Sequence, residues 1–593
     1  MKKRVADILI ETLAECGVEQ AFCVVGGGAM HLNNALATTQ KLNVVFNHHE
    51  QAAAMACEGY ARTEDKVALC LVTSGPGGTN AITGVMGAYQ DSIPMIVVSG
   101  QVRYATTVEY SGLNLRRRGE QEFDIVNSVK NMTKYAKMIT DPLSIKQEVC
   151  KAYNIATTGR RGPVWLDIPL DVQFAQVEES DLLPILPDIP PIECSENDFN
   201  ELADMLSAAK APLILAGSAI AATHSHDLLR EALLNWRIPT VSASLITDNL
   251  ACEESLYFGT TGGIGTRCGN YLISNADVLL VIGCSMGYKQ TTFMQEVFAP
   301  QARIIMVDVN PDEAKKPGLN ISKFIHSDLQ MLLNRIKNAR PISAPQNWLS
   351  YCLKLKNKFD IFENATGKPE ERVNSYNFWK EYYEQAPADT ITVLGNNTGI
   401  APMIQAGKKL PTQRIMANYN CGSMGWDVPA AIGASLSCAH EVVLATGDGS
   451  IMMNLQELHT IVSNNIPVKV IVFSNGGYGA IVQTCRNYFN GLNVGCNPES
   501  GLTMPNFEKL ATSFGFRYHK CQNNSEIKDS INWLFNERGC CFLELLQSYD
   551  NPASPVLKAK MTTDGQPQQL QYEIMSPFIS DEEHLDCIFS AEG

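Results

Sequence analysis

Short apolar runs recur along the chain, each ending at a small or polar turn. Examples are VALCLVTS (67–74), PMIVVSG (94–100), PLILAGS (212–218), VLLVIGC (278–284), RIIMVDV (303–309), VVLATGD (442–448) and VKVIVFS (468–474). The runs are near-continuous in Val, Ile and Leu and do not alternate with polar residues. Such strands are covered on both faces, as in a parallel sheet flanked by helices. Between them lie stretches of helical spacing, as at Val5, Ile8, Leu9 and Leu13. The pattern predicts an α/β chain built from doubly wound parallel sheets.

The pattern breaks at two places. VEESDLLPILPDIPPIECSEND (177–198) is rich in proline and acid, and NARPISAPQN (338–347) precedes a Lys-rich helical stretch. These joins divide the chain into 1–175, 190–340 and 365–550, each with its own strands, and a tail, 551–593. The tail is polar and irregular, and reads as a lid or a surface arm. A length of 593 residues at 45% hydrophobic composition is too much for one core.

Charge and cysteine content narrow the function class. The net charge is -15 and no basic stripe is present, which argues against a nucleic-acid partner. No stretch approaches the roughly 20 apolar residues of a membrane helix, so no membrane partner is expected. The amphipathic N-terminus does not read as a secretory signal. The 18 cysteines are scattered, with no paired CxxC spacing typical of zinc. They read as reduced, mostly buried thiols of a cytoplasmic protein.

One stretch carries explicit chemistry: ATGDGSIMMNLQELHTIVSNNIPVKVIVFSNGGY (445–478). Gly447, Asp448, Gly449 and Ser450 form the turn from a strand into a helix. Glycines let the backbone approach a phosphate, and a helix start offers free N–H groups. The next strand ends at Asn475. In a parallel βαβ unit both strand ends lie on one sheet edge. Asp448, Asn475 and the Gly477 carbonyl can then meet around one Mg²⁺, which prefers oxygen ligands and a share of phosphate.

This spacing resembles the thiamine-diphosphate binding motif. The family's pair of asparagines is Ser474-Asn475 here, and the metal-binding second position is kept. Other stretches agree. NHHEQAAAMACEGYAR (47–62) resembles the family's glutamate segment, and TSGPGGTNAITGVMGAYQDSIPMIVVSG (73–100) its glycine-rich loop. The resemblance implies that Glu50 hydrogen-bonds N1′ of the aminopyrimidine, so that the 4′-nitrogen takes the proton from thiazolium C2. In NCGSMGWDVPAAIGAS (420–435) it implies that the Gly422 carbonyl accepts from the 4′-amino group, with Met424 wedged between the two rings. GNNTG (395–399) would hold the diphosphate from the other side through Asn397 and Thr398. It also implies the domain order pyrimidine-binding, central, diphosphate-binding. A homodimer or homotetramer follows, because Glu50 and Asp448 reach one cofactor across a subunit interface.

Within the family the chain looks most like the acetolactate synthase group. GRRGPVWLDIPLDV (159–172) and GEQEFDIVNSVKNMTKYAKMI (119–139) carry that likeness. Gln121 matches the group's glutamine beside the reacting centre, with Gly26 and Gly27 keeping the opposite wall small. The implied reaction decarboxylates pyruvate and transfers its two-carbon unit to a second carbonyl compound. Two departures stand out. Val25 replaces a usual proline, and the segment after Tyr478 lacks the Trp- and Arg-bearing pattern of the biosynthetic enzymes. That segment and the tail look more like the synthase-like carboligases of bacterial branched-sugar (yersiniose-type) pathways, whose acceptor is a keto-sugar nucleotide.

The resemblance also maps an FAD site onto the central domain: Arg160, Gly217, Ser218, Gly262, Gly265, Gly283, Asp308 and Asp328. Ser285 departs from the usual arginine there, and related central domains are empty or bind another nucleotide. Three alternatives stay open: acetolactate synthase proper, a simple 2-oxo-acid decarboxylase or acyl-CoA lyase, and a non-catalytic nucleotide-binding module.

Overall fold

The computed structural model describes residues 2–243, 248–293, 295–396, 398–558, 560–561, 567–568 and 570–590. Three sheets of six parallel strands dominate it. The first contains β1 (Gln20–Cys23), β2 (Asn43–Phe46), β3 (Leu69–Val72), β4 (Met95–Gln101), β5 (Tyr135–Met138) and β6 (Pro163–Pro169), in the order β2-β1-β3-β4-β6-β5. The second contains β7 (Pro212–Ala216), β8 (Thr240–Ala243), β9 (Tyr257–Thr261), β10 (Val278–Ile282), β11 (Arg303–Asp308) and β12 (Ile321–His326), in the order β9-β8-β7-β10-β11-β12. The third contains β13 (Ile391–Leu394), β14 (Arg414–Ala417), β15 (Val442–Gly447), β16 (Val468–Ser474), β17 (Arg517–Cys521) and β18 (Cys541–Leu546), in the order β14-β13-β15-β16-β18-β17. The first and third sheets thus share one winding, and the second has the winding of dinucleotide-binding sheets.

The apolar runs become the middle strands because both their faces are buried. β3, β10 and β15 are buried along their whole length. One hydrophobic cluster joins the first and third sheets, running from Phe22 and Val72 through Ala54 and Ala430 to Leu444 and Phe542. Its seam is the crossing of helix Glu50–Thr63 with helix Asp427–Ser437. A Cβ on Gly59 would lie 2.2 Å from the Ala430 carbonyl oxygen, and one on Gly433 1.9 Å from that of Ala56. Only glycine lets these backbones touch. The alanine-rich stretch after Glu50 is therefore a packing surface as well as part of the family likeness.

The described part of the tail is anchored in the second unit. Tyr572, Met575 and Cys587 are fully buried there. Tyr572 Oη donates to the Gln290 carbonyl at 2.6 Å, Arg267 Nη1 to the Met575 carbonyl at 3.1 Å, and Tyr351 Oη to the Cys587 carbonyl at 2.6 Å. These anchors, with Ile579 and Phe589 packed beside them, tie residues 570–590 to the second unit. Among the described residues no helix is long and apolar enough to cross a membrane.

Candidate active site

Ligands of open parallel sheets bind beyond the strand ends, where the winding reverses. In the third sheet that point lies between β13 and β15. The turns after β13, β15 and β16 meet there. Asp448 is 2% exposed. Its Oδ2 accepts the backbone N–H groups of Asn475 at 2.9 Å and Gly476 at 2.7 Å, and its Oδ1 that of Gly449 at 2.9 Å. Burial pushes its carboxyl up to about 6, against the opposing pull of these N–H groups. Asn475 Nδ2 donates to Thr398 Oγ1 at 3.3 Å, and Thr398 Oγ1 donates to Gln547 Oε1 at 2.8 Å. Gly477 N–H donates to Asn475 Oδ1 at 3.2 Å. Asp448, Asn475, Gly477 and Thr398 thus form one cluster, and Asn397 lies outside the described residues.

The glycines of the turn have their own reasons. Gly447 ends β15, and a Cβ on Gly449 would lie 2.3 Å from the Tyr478 ring. Ser450 turns inward: its hydroxyl donates to Asp427 Oδ2 at 2.8 Å and accepts from Gly425 N–H at 3.0 Å. Its backbone, not its hydroxyl, is what the turn offers to a ligand. Gly422 has a φ of +63° and is exposed, with Met424 half-buried two residues on. The Gly422 carbonyl accepts from Asn396 Nδ2 at 2.7 Å.

The first sheet reverses between β1 and β3, and the remaining expected residues gather there. Glu50 opens its helix and is buried; its Oε2 accepts from Asn80 Nδ2 at 2.9 Å. Cβ atoms on Gly26 and Gly77 would both fall within 2.7 Å of the Thr73 side chain, whereas Gly27 faces open space. Gln121 is exposed, with a φ of +59°, and its carbonyl oxygen lies 2.5 Å from where a Gly75 Cβ would be. Among the described residues, no hydrogen bond or ion pair of one chain joins Glu50 to Asp448. Links between the neighbouring stretches join Asn454 to Gln51 at 3.0 Å, Asn47 to Glu457 at 3.0 Å and the His48 N–H to Glu457 at 2.9 Å.

In the second sheet the winding reverses between β7 and β10. A cleft of about 270 Å³ opens there, lined by residues including Arg62, Ser218, Met286, Arg414 and Asn420. It continues into a space of about 80 Å³ lined by Arg160, Ser218, Gly283, Asp308 and Asp328. Gly217 lies just behind, where a Cβ would meet the Gly283 carbonyl at 2.2 Å. Arg160 Nη1 pairs with Glu313 at 2.7 Å. Burial raises the Asp308 carboxyl, and Asp328 accepts the Ile192 N–H. Gly262 stands apart from this lining, its N–H and carbonyl both bonded to Asn270.

Both sites fit the groups expected of them. The Asp448 cluster offers only hard oxygens, as a magnesium ion requires. Beside it Gln547 Nε2 is buried without a hydrogen-bond partner among the described residues. Such a donor is costly unless something accepts from it. The second cleft brings an arginine, two strand-end acids and two close-packed glycines to one switch point, a donor set suited to a dinucleotide. Sequence reasoning missed Asn80, Asn396, Asp427 and Gln547. Asn396 lies in GNNTG, and that its side chain reaches Gly422 depends on backbone direction, which the motif does not encode.

Comparison with known proteins agrees with the three-unit fold. Residues 3–128 match the thiamine pyrophosphate enzyme N-terminal TPP binding domain, 199–336 the central domain and 395–545 the C-terminal TPP binding domain. The chain is 30% identical over 546 residues to a probable acetolactate synthase large subunit of Methanocaldococcus jannaschii, covering 89% of each chain. It is 29% identical over 567 residues to the acetolactate synthase large subunit of Lactococcus lactis, covering 94% of this chain and 95% of that one. It is 28% identical over 542 residues to the acetolactate synthase isozyme 2 large subunit of Escherichia coli, covering 90% of this chain and 94% of that one. The chain therefore belongs to the thiamine pyrophosphate enzyme family, as an acetolactate synthase-like, carbon–carbon bond-forming member.

Proposed function

We propose that the protein is a carboligase that decarboxylates pyruvate and transfers the resulting two-carbon unit to a ketone or aldehyde. The observation that carries this reading is the meeting of Asp448 with the Asn475–Gly477 turn at the switch point of the third sheet. Asp448, Asn475 and the Gly477 carbonyl would hold Mg²⁺. The backbone of Gly447, Gly449 and Ser450, with Thr398 and Asn397, would hold the diphosphate. Gly422 and Met424 would set the bend of the cofactor. When bound, thiamine diphosphate supplies a thiazolium that stabilises the charge left on carbon as carbon dioxide departs.

The chain's own groups would do the rest. Glu50, buried and oriented by Asn80, holds a proton at its carboxyl oxygen toward the aminopyrimidine. Gln121, on its exposed loop, donates to the reacting carbonyl oxygen, and Gly26 and Gly27 leave room for the substrate. The Arg160, Gly217, Ser218, Gly283, Asp308 and Asp328 cleft is proposed to bind FAD in a structural role, since the overall reaction needs no net redox change. The absorption spectrum of the purified protein tests this: a flavin spectrum is expected, and its absence from freshly purified, FAD-supplemented protein would overturn it.

For the acceptor we propose a carbonyl compound larger than pyruvate, a keto-sugar nucleotide being the first to assay. The segment after Tyr478 exposes Tyr488 (78%), Leu492 (73%) and Val494 (75%), an apolar surface suited to covering a bulky acceptor or a second subunit. The names of the relatives favour a second reading, in which pyruvate is also the acceptor. Product analysis separates the two. Pyruvate alone is expected to give slow turnover that a keto-sugar nucleotide accelerates, with a branched product. Acetolactate formed at the same rate with or without the ketone supports the second reading, and acetaldehyde as sole product overturns both.

A further inference from the structure

We propose that Glu64, Cys438 and His440 form a site for a zinc-type divalent metal ion, separate from the Asp448 cluster. A carboxylate oxygen of Glu64, the Sγ of Cys438 and a ring nitrogen of His440 lie within 4.8 Å of one another. The three come from two units far apart in the chain. Glu64 caps the C-terminus of helix Glu50–Thr63, its N–H donating to the Tyr60 carbonyl. Cys438 caps the C-terminus of helix Asp427–Ser437, and His440 stands two residues before β15. These are the two helices held backbone to backbone at Gly59 and Gly433. The packing that joins the units is thus what assembles the cluster, and no CxxC spacing announces it.

The chemistry of the set selects the ion. Thiolate, imidazole and carboxylate together suit Zn²⁺, whereas Mg²⁺ takes oxygen ligands. Donor atoms around a tetrahedral zinc with bonds of about 2.0–2.3 Å stand roughly 3.5 Å apart. The His440 side chain is 43% exposed, on the open side of the cluster. Asp389 Oδ2 sits 3.3 Å from His440 Nδ1. A histidine that donates one ring N–H to a carboxylate presents its other nitrogen as a lone pair, the usual support of a zinc-bound imidazole. Three protein ligands leave a fourth position to water on the open side. An ion here would fasten the far end of the helix that starts at Glu50 to the segment that leads into β15 and Asp448.

The test uses the full-length protein, stripped with chelator and titrated with Zn²⁺ against a chromophoric competitor. Wild type is expected to take up one equivalent that Cys438→Ser and His440→Ala lose and that Cys150→Ser keeps. Asp389→Asn should weaken uptake by about 10–100-fold. Co²⁺ in place of Zn²⁺ should give a thiolate charge-transfer band that Cys438→Ser abolishes. Circular dichroism without metal verifies that each variant folds. In wild type Zn²⁺ should raise Tm, and in folded His440→Ala it should not. Cys438→Ser and His440→Ala binding Zn²⁺ as wild type does, or a wild type that takes up no stoichiometric zinc, would overturn the site.

Discussion

At the scale of single residues, carboxyl groups of this chain do different work because their surroundings differ. Glu50 is assigned the proton-handling role because it is buried at a helix start with Asn80 on one oxygen. Glu50→Gln keeps the shape and that hydrogen bond but cannot supply the proton; turnover should fall by about 100-fold or more, with the melting curve unchanged. Asp167 is a structural counterpart. It is fully buried in β6, accepts from Ser99 Oγ at 2.6 Å and Gln101 Nε2 at 3.0 Å, and burial pushes its carboxyl up to about 7. The folded state therefore holds this proton more tightly than the unfolded chain does. The stability it contributes is present below about pH 4 and drains away as the pH rises toward 7. Denaturant unfolding across pH 4–7 should show that decline in wild type, and Asp167→Asn should make it shallower, leaving the share of other buried carboxyls such as Asp448. Much of the site was legible at this scale. The spacing of Asp448 and Asn475 foretells their meeting, because strand ends of one βαβ unit share an edge. Two features were not legible. Ser450 spends its hydroxyl on Asp427, and Gln547 reaches the turn from the far end of β18, neither of which a local motif encodes.

At the scale of elements, the apolar runs foretold the strands closely: VKVIVFS is β16 in full, and PMIVVSG is β4 shifted by one residue. Continuous apolar character suffices there because both faces of a middle strand are buried. The tail was not legible, since its anchors Tyr572, Met575 and Cys587 are irregularly spaced and fit neither a helical nor a strand period. The crossing of helices Glu50–Thr63 and Asp427–Ser437 was half legible. Its small residues were visible, but their use as a backbone contact appears only in three dimensions. That contact leaves no room for a side chain. Gly59→Val should destabilise the protein by about 1–3 kcal/mol through overpacking and lower thermal stability accordingly. A Tm within a degree or so of wild type would mean that the helices part without cost.

At the scale of the whole molecule, two sheets of identical winding face the question of how their switch points meet. Glu50 lies at one and Asp448 at the other, and no hydrogen bond or ion pair between the described residues of one chain connects them. The edges that carry them expose apolar side chains. Val25, Phe46, Tyr110 and Leu113 lie around the first, and Tyr488, Phe489, Leu492 and Val494 beyond the second. A surface of this kind is expected to be covered by another subunit. The proposed cofactor site is then shared: Glu50 from one chain faces Asp448 of its partner, and a symmetric pair of chains makes two such sites. This arrangement can be tested by mixing two inactive proteins, Glu50→Gln and Asp448→Asn, under conditions that exchange subunits. In a mixed dimer one site collects both defects and the other collects none. Turnover is expected to recover to about a quarter of wild type, because half the dimers are mixed and each has one intact site. If the subunits exchange and the mixture stays as inactive as its components, the two residues do not serve one site across the interface, and the central claim fails.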